Sequence, residues 1–317
     1  MGDRRTSGND ERGDRSGLRP PLMDAAYIQQ RQRKREGLWL ITPMTVFLLI
    51  LLGFPLVLDL IYSVSKVGFE TLRDPEVVGF GNYKTAISDP EFWAAAWFSF
   101  RFAIIVATAQ VLLGLFLAIF LAPLLAQRPW LMAILMLPMM VAPALVGLMY
   151  RLILHEFVGV IPYYLYVWLG DSPSFLGAQS AFNTLVTIEI LQWTPFALLI
   201  LYTAHAAIPG SIREAAAIDG VTGLKSVRYI DLPLLMPAIG VTYFIRFIDS
   251  FRVFDNVYTL VGPGAGGSTT TMSIYIYRAF FRIGDIGLAV AASMLLLVAS
   301  FIVLYAINWL TARSRPA

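Results

Sequence analysis

Six stretches of the chain approach the twenty or so apolar residues that a helix needs to cross the hydrocarbon core of a bilayer, and they leave little room for any other fold. Residues 37–58, 102–127, 129–150 and 286–312 carry no charge at all. Residues 182–202 are interrupted by Glu189, and residues 237–261 by Arg246, Asp249, Arg252 and Asp255. Only 14% of the 317 residues are charged, where a soluble domain of this length has about a quarter. The expected fold is all-α, a polytopic membrane protein with six transmembrane helices.

Around the spans the chain divides simply. Residues 1–36, which include the basic cluster Arg31, Arg33, Lys34 and Arg35, read as a disordered basic cytoplasmic tail. The first apolar run is too long for the core of a signal peptide. Residues 37–312 form the membrane domain, and 313–317 a short cytoplasmic end. Lysine and arginine in the short flanks set the orientation. With the N-terminus inside, the cytoplasmic segments hold Arg31 to Arg35, Arg128, Arg213, Lys225, Arg228, Arg313 and Arg315, against Lys66, Arg73, Lys84, Arg278 and Arg282 outside. An even number of spans puts both termini in the cytoplasm. The outer loops, about 65–96, 154–181 and 262–285, are too short for a separate domain.

A charge near the bilayer centre is costly, so it faces protein or water and often marks a pathway. Arg246, Asp249, Arg252 and Asp255 recur at steps of three, close enough along one helix for opposite signs to offset each other. One reading makes them structural ties to neighbouring helices; the other has them line a polar path. The two arginine forks suit a carboxylate, sulfonate or phosphate. Glu189, with Asn183, Thr187 and Gln192 nearby, is the matching feature of the fourth span, and Trp193 belongs to the same candidate path. Tyr243 and Asn256 complete the candidate substrate path.

Residues 208–237, between spans four and five, are the most informative. Pro209 can open a helix, and Ser211 to Asp219 are good helix formers. Gly220 supplies a turn or C′ position. Thr222 is placed to cap a second helix that runs to Ile230 and stops at Leu232-Pro233. The expected unit is two short helices joined by a glycine turn and pinned at the membrane face. It has no basic recognition helix, so DNA binding is excluded.

Glu214-Ala215-Ala216, then Asp219-Gly220, then Ile230-Asp231-Leu232-Pro233 resembles the EAA motif of the membrane subunits of binding-protein-dependent ABC importers. Trp193-Thr194-Pro195-Phe196 resembles the Trp/Pro-Phe element of that family's carbohydrate branch. Phe251 to Leu260 with Thr269 to Thr271, and Gly79-Phe80-Gly81-Asn82-Tyr83, resemble the maltose, trehalose and glycerol-phosphate permeases on the first-subunit side. Two stretches depart from the pattern, Phe98 to Arg101 and Ala204-His205-Ala206-Ala207. The resemblance implies a permease subunit in the bacterial inner membrane that forms the path for a sugar or sugar derivative. It also implies a second and different permease subunit, two ATP-binding subunits and an extracytoplasmic solute-binding protein. Glu214, Ala215, Ala216, Asp219, Gly220, Leu232 and Pro233 would then couple transport to the ATPase, whose own chain would hold ATP and Mg. An ion-coupled secondary transporter or channel using the charged fifth helix is the alternative.

Other chemistry finds no support in the sequence. Residues 262–267 satisfy G-x-G-x-x-G but lack the strand and helix that a dinucleotide site needs. No Walker A spacing is present, so any ATP hydrolysis belongs to another subunit. There is no cysteine, and the two histidines, His155 and His205, are not at metal-ligand spacing and read as incidental. The expectation is no catalytic residue, no metal and no cofactor on this chain, and no nucleic-acid partner.

Overall fold

In a computed structural model, residues 41–262 and 268–313 are described, with side chains to residue 303 and at Tyr305. The basic tail 1–36, most of the glycine-rich loop and residues 314–317 lie outside them. The chain divides into two compact units, residues 1–59 and 60–317. The first is described from residue 41 and is helical: α1, Ile41–Ser63, runs through it into the start of the second, with a π-helical turn at Leu49–Gly53.

The second unit opens with a two-stranded antiparallel hairpin, β1 (Ser65–Lys66) and β2 (Glu76–Val77), and the short helix α2 (Gly81–Ser88). The helices that follow are α3 (Pro90–Phe120), α4 (Ala122–Gln127), α5 (Trp130–Met140), α6 (Pro143–Ile153), α7 (Val160–Leu169) and α8 (Ala181–Ala206). Next come α9 (Gly210–Ile218), α10 (Leu224–Phe251), α11 (Asp255–Val261), α12 (Met272–Tyr277) and α13 (Ile286–Arg313). Five of the described helices are long and apolar enough to cross a membrane: α1, α3, α8, α10 and α13. The pair α5 and α6, bent by 81°, is a sixth if counted as one span.

The bundle is built around α3, which packs along both α8 and α10. Ala103, Ala107, Gly114 and Ala118 form a stripe of small residues on α3, all buried. Small side chains let helix backbones approach closely, which is what binds helices where lipid is as apolar as leucine. At Gly114 the backbones are close: a Cβ there would lie 2.7 Å from Cβ of Ala197 and 2.9 Å from the backbone nitrogen of Leu198. Beside the stripe, Phe98, Phe102 and Val106 of α3 join Leu185 and Ile188 of α8, Val146 of α6 and Val257 of α11 in the largest apolar core.

Four boundaries differ from the sequence-based expectation. The second span begins at Pro90, not Phe102, because Asp89 accepts a hydrogen bond from the Glu91 backbone N–H (2.8 Å) and Pro90 opens the helix. The charges this brings in are occupied: Glu91 pairs with Arg278, and Arg101 lies over the Phe182 ring, 4.0 Å from its centroid. The third span breaks at Val141 and Ala142, which are extended ahead of Pro143. The fifth span ends at Phe251, so Arg252 is its C-cap, and Asp255 is not on the helix of Arg246 and Asp249 but opens α11. The second helix of the glycine-turn unit does not stop at Leu232-Pro233. It continues as α10, because the π-helical turn Val227–Asp231 widens the backbone just before the proline ring. Its N-cap is Gly223, and Thr222 makes no cap.

Broken backbone at membrane depth is tolerated only where its polar groups find partners. The Val141 carbonyl accepts from Nε2 of Gln192 (3.1 Å). At the other break, the Arg252 carbonyl accepts from the Ser273 hydroxyl (2.9 Å) and that of Val253 from the Thr271 hydroxyl (3.0 Å). The Thr271 hydroxyl also accepts from the Ile274 N–H (3.2 Å), capping α12. Near the start of α3, Tyr275 donates to Asp89 (2.8 Å); its burial first, and then the carboxylate, push the phenol pKa above its ordinary value.

Candidate functional site

Two polar clusters are set into this bundle. The first lies between α3, α8, α10 and α11. Glu189 stands about 12 Å along α8 from its start, at 1.5 Å per residue. Its Oε2 accepts from Nδ2 of Asn256 (2.6 Å), and the same nitrogen donates to Oε1 of Gln192 (2.9 Å). Gln110 of α3 bridges the other side: its Nε2 donates to the Glu189 carbonyl (2.8 Å), and its Oε1 accepts from Nε of Arg246 (2.9 Å). Arg246 is 1% exposed and Glu189 3%. Their 3.8 Å approach is a contact between charges rather than a hydrogen bond, since Nη2 of Arg246 has no hydrogen-bond partner among the described residues. The guanidinium lies over the Trp193 ring, 4.6 Å from its centroid, and 5.5 Å from that of Phe196.

The proposed path residues therefore divide by exposure. Glu189, Gln192, Arg246 and Asn256 are gathered into one sealed network, with Gln110 as a fifth member that the sequence reading missed. Trp193 is half-buried against the Arg246 guanidinium, and half-buried Tyr243 stacks on Phe247. Asp249 is half-buried and accepts from Nη1 of Arg246 (3.3 Å) and Nη2 of Arg252 (3.4 Å). Arg252 and Asp255 are exposed. A buried ion pair holds its geometry because separating it leaves an uncompensated charge in low dielectric. The exposed members have no such constraint.

The second cluster is at the end of the bundle that carries α9. Glu214 and Ala215 are exposed on α9 and Ala216 is buried. Asp219 is the C-cap, and Gly220 is C′ with φ +74°. The Val221 N–H bonds the Ala216 carbonyl (2.8 Å) and the Gly220 N–H that of Ala217 (3.1 Å), which is the Schellman closure of a helix end. Gly223 also has a positive φ, +59°, so two glycines turn the chain between α9 and α10. Leu232 and Pro233 are exposed on α10, immediately after the π-helical segment.

Three residues that the sequence analysis named without giving them a site role, His205, Arg213 and Asp231, meet here. Nη2 of Arg213 on α9 lies 2.8 Å from Nε2 of His205 on α8 and 3.3 Å from Oδ1 of Asp231 on α10. It is 3.4 Å from the His205 carbonyl. The guanidinium is always a donor, so Nε2 of His205 accepts. The 3.5 Å approach of His205 to Asp231 is then not an ion pair, and Arg213 is the cation that holds both. The three side chains border an open cleft of about 490 Å³ that Tyr202 and Ser226 also line.

The arrangement holds no cluster of metal-ligating side chains among the described residues. It is a bundle with a polar interior and a short helix looped out at one end. Residues 110–316 match the family described as "Binding-protein-dependent transport system inner membrane component". The trehalose/maltose transport system permease protein MalF of Thermococcus litoralis is 33% identical over 85% of this chain and 92% of its own length. The sulfoquinovosyl glycerol transport system permease protein SmoG of Agrobacterium fabrum is 28% identical over 83% of this chain and 86% of its own. In fold, the chain superposes with a TM-score of 0.76 on a chain of the bacterial alginate ABC transporter solved with an alginate pentasaccharide-bound periplasmic protein. That match has 20% identity and covers 90% of this chain and 96% of the other. The chain belongs to the binding-protein-dependent transport system inner membrane components, the permease subunits of ABC importers.

Proposed function

We propose that this permease carries a sugar or sugar derivative into a bacterial cell, and that α9 is the element through which a separate ATPase drives it. The observation that carries the coupling reading is the geometry of α9. It is a mostly exposed helix closed by a Schellman turn at Gly220 and joined at its two ends to spans four and five. Glu214, Ala215, Ala216, Asp219 and Gly220 form the docking element, and Leu232 and Pro233 start the span that it moves. ATP-driven closure of two ATP-binding subunits, which would hold ATP and Mg, pushes α9 and rocks the spans as rigid bodies. Both termini are cytoplasmic, on the same side as α9, in the bacterial inner membrane. A second, different permease subunit completes the path, and a solute-binding protein delivers the cargo from outside. The names of the relatives, trehalose/maltose and sulfoquinovosyl glycerol permeases, support the sugar class.

For the path itself, Tyr243, Trp193, Asp249, Arg252 and Asp255 meet the solute. The sealed residues Glu189, Gln192, Arg246 and Asn256 keep that wall in shape. The secondary-transporter alternative gives no reason for α9 and its turn, and family membership speaks against it.

Gly220→Val tests the coupling. Nothing lies within 4 Å of a Cβ at this position, so the change meets no clash, only a backbone conformation that valine resists. Uptake of the cognate sugar by the reconstituted transporter is expected to fall about tenfold, the effect of a loss near 1.4 kcal/mol in the coupled step. Wild-type uptake would overturn the role given to this turn.

A further inference from the structure

We propose that Arg213 is a positioning residue that ties α9 to spans four and five at once, through His205 and Asp231, so that the three move as one body. The inference rests on the coupling role given to α9 above. Covalently, α9 is held loosely. Three residues (Ala207, Ile208 and Pro209) join it to α8, and five residues including Gly220 and Gly223 lie between Ile218 and Leu224. Linkers of this kind absorb a push by changing their own φ and ψ, as hinges do. A helix connected only by them would swing without moving the spans.

The Arg213 guanidinium closes this slack. One nitrogen reaches the imidazole and carbonyl of His205 at the end of α8 and the carboxylate of Asp231 in the π-helical turn of α10. The side chains of His205 and Asp231 are 6% and 7% exposed, so the two anchor points are fixed in the packed bundle. Arg213 itself is 41% exposed, reaching in from the surface element. The contact spans the glycine turn at its open side, where a brace has the most leverage. Arginine suits the task because its rigid fork is always charged and offers several donors.

The chain has no cysteine, so paired labels can be introduced with no background from its own residues. Nitroxides at Ser211→Cys on α9 and Leu191→Cys on α8 report the distance between helix and span in the complete transporter, nucleotide-free and trapped with ATP and vanadate. A separate Ile218→Cys crosslink to the ATPase subunit reports docking. With Arg213 present, the distance is expected to be narrow and the same in both states. With Arg213→Ala it is expected to shift or broaden by about 2 Å or more on trapping, the size of helix shifts in such transitions. Arg213→Lys is expected to restore part of the narrow distribution. An Arg213→Ala distance that stays narrow and unchanged, with the crosslink retained, would overturn the tether and leave the coupling reading intact. A wild-type complex that gives no crosslink would overturn the coupling reading, and the inference with it. If Arg213→Ala does not assemble, Asp231→Asn, which keeps the volume and loses the charge, is read in the same way.

Discussion

The polar network among the spans and the polar cluster beside α9 use the same residue types in opposite settings. Glu189 and Arg246 are sealed among Gln110, Gln192 and Asn256. Arg213 holds its partners from a half-open position at the edge of a cleft. A sealed charge cannot exchange partners without crossing a state in which it is bare in low dielectric, so the first network behaves as a fixed brace. In the second the anchors His205 and Asp231 are buried and only Arg213 is open to water, so screening weakens this brace without removing it. Both clusters hold helices together, and separation costs more among Glu189, Arg246 and Asn256 than at the joint with α9.

The largest effect is expected at Glu189. Glu189→Gln leaves the Arg246 guanidinium with no carboxylate but Asp249 and is expected to cost about 3–5 kcal/mol. Loss of thermal stability in detergent measures it. Adding Arg246→Met is expected to recover part of that loss, whereas a double-mutant loss equal to the sum of the two single losses would mean that the two do not act as a pair. A smaller effect is expected at the helix crossing that carries the network. Gly114→Ala forces a Cβ into Ala197 and the backbone of Leu198, for about 1–3 kcal/mol of overpacking, read by the same melts. The smallest belongs to the exposed rim. Arg252→Ala removes a surface pair with Asp249 and is expected to change stability by about 0–1 kcal/mol. Its effect is expected on KM for the sugar instead. A change in stability as large as that of Glu189→Gln would place Arg252 with the sealed residues.

Much of the fold is legible in the sequence because the bilayer imposes a length on every span. What hydropathy does not carry is direction. Residues 129–150 read as one straight span, although Pro143 stood in the sequence as a signal for the break at Val141 and Ala142. Pro233 gave the opposite error. It reads as a stop, but the π-helical turn before it lets the helix run on. Of the candidate site, Glu189, Gln192, Arg246 and Asn256 stand out one by one as polar groups in apolar runs. Gln110 carries the same signal within the uncharged second span, and only its contacts with Glu189 and Arg246 distinguish it from a tolerated amide. The Arg213 cluster was hidden differently. Arg213 and Asp231 each lie nine positions from Thr222, so folding the chain back between Gly220 and Gly223 brings opposite charges face to face. That symmetry is visible in the sequence once the centre of the turn is known. His205 needed the third dimension.

The bend in the third span also has a consequence for how the protein is made. The Val141 carbonyl finds its partner in Gln192, 51 residues further along the chain. A ribosome delivers the first long before the second. During synthesis, residues 129–150 therefore enter the bilayer as an apolar segment whose freed carbonyl has no Gln192 to meet. The elbow between α5 and α6 sets only when span four arrives beside it, so this corner of the bundle is finished late.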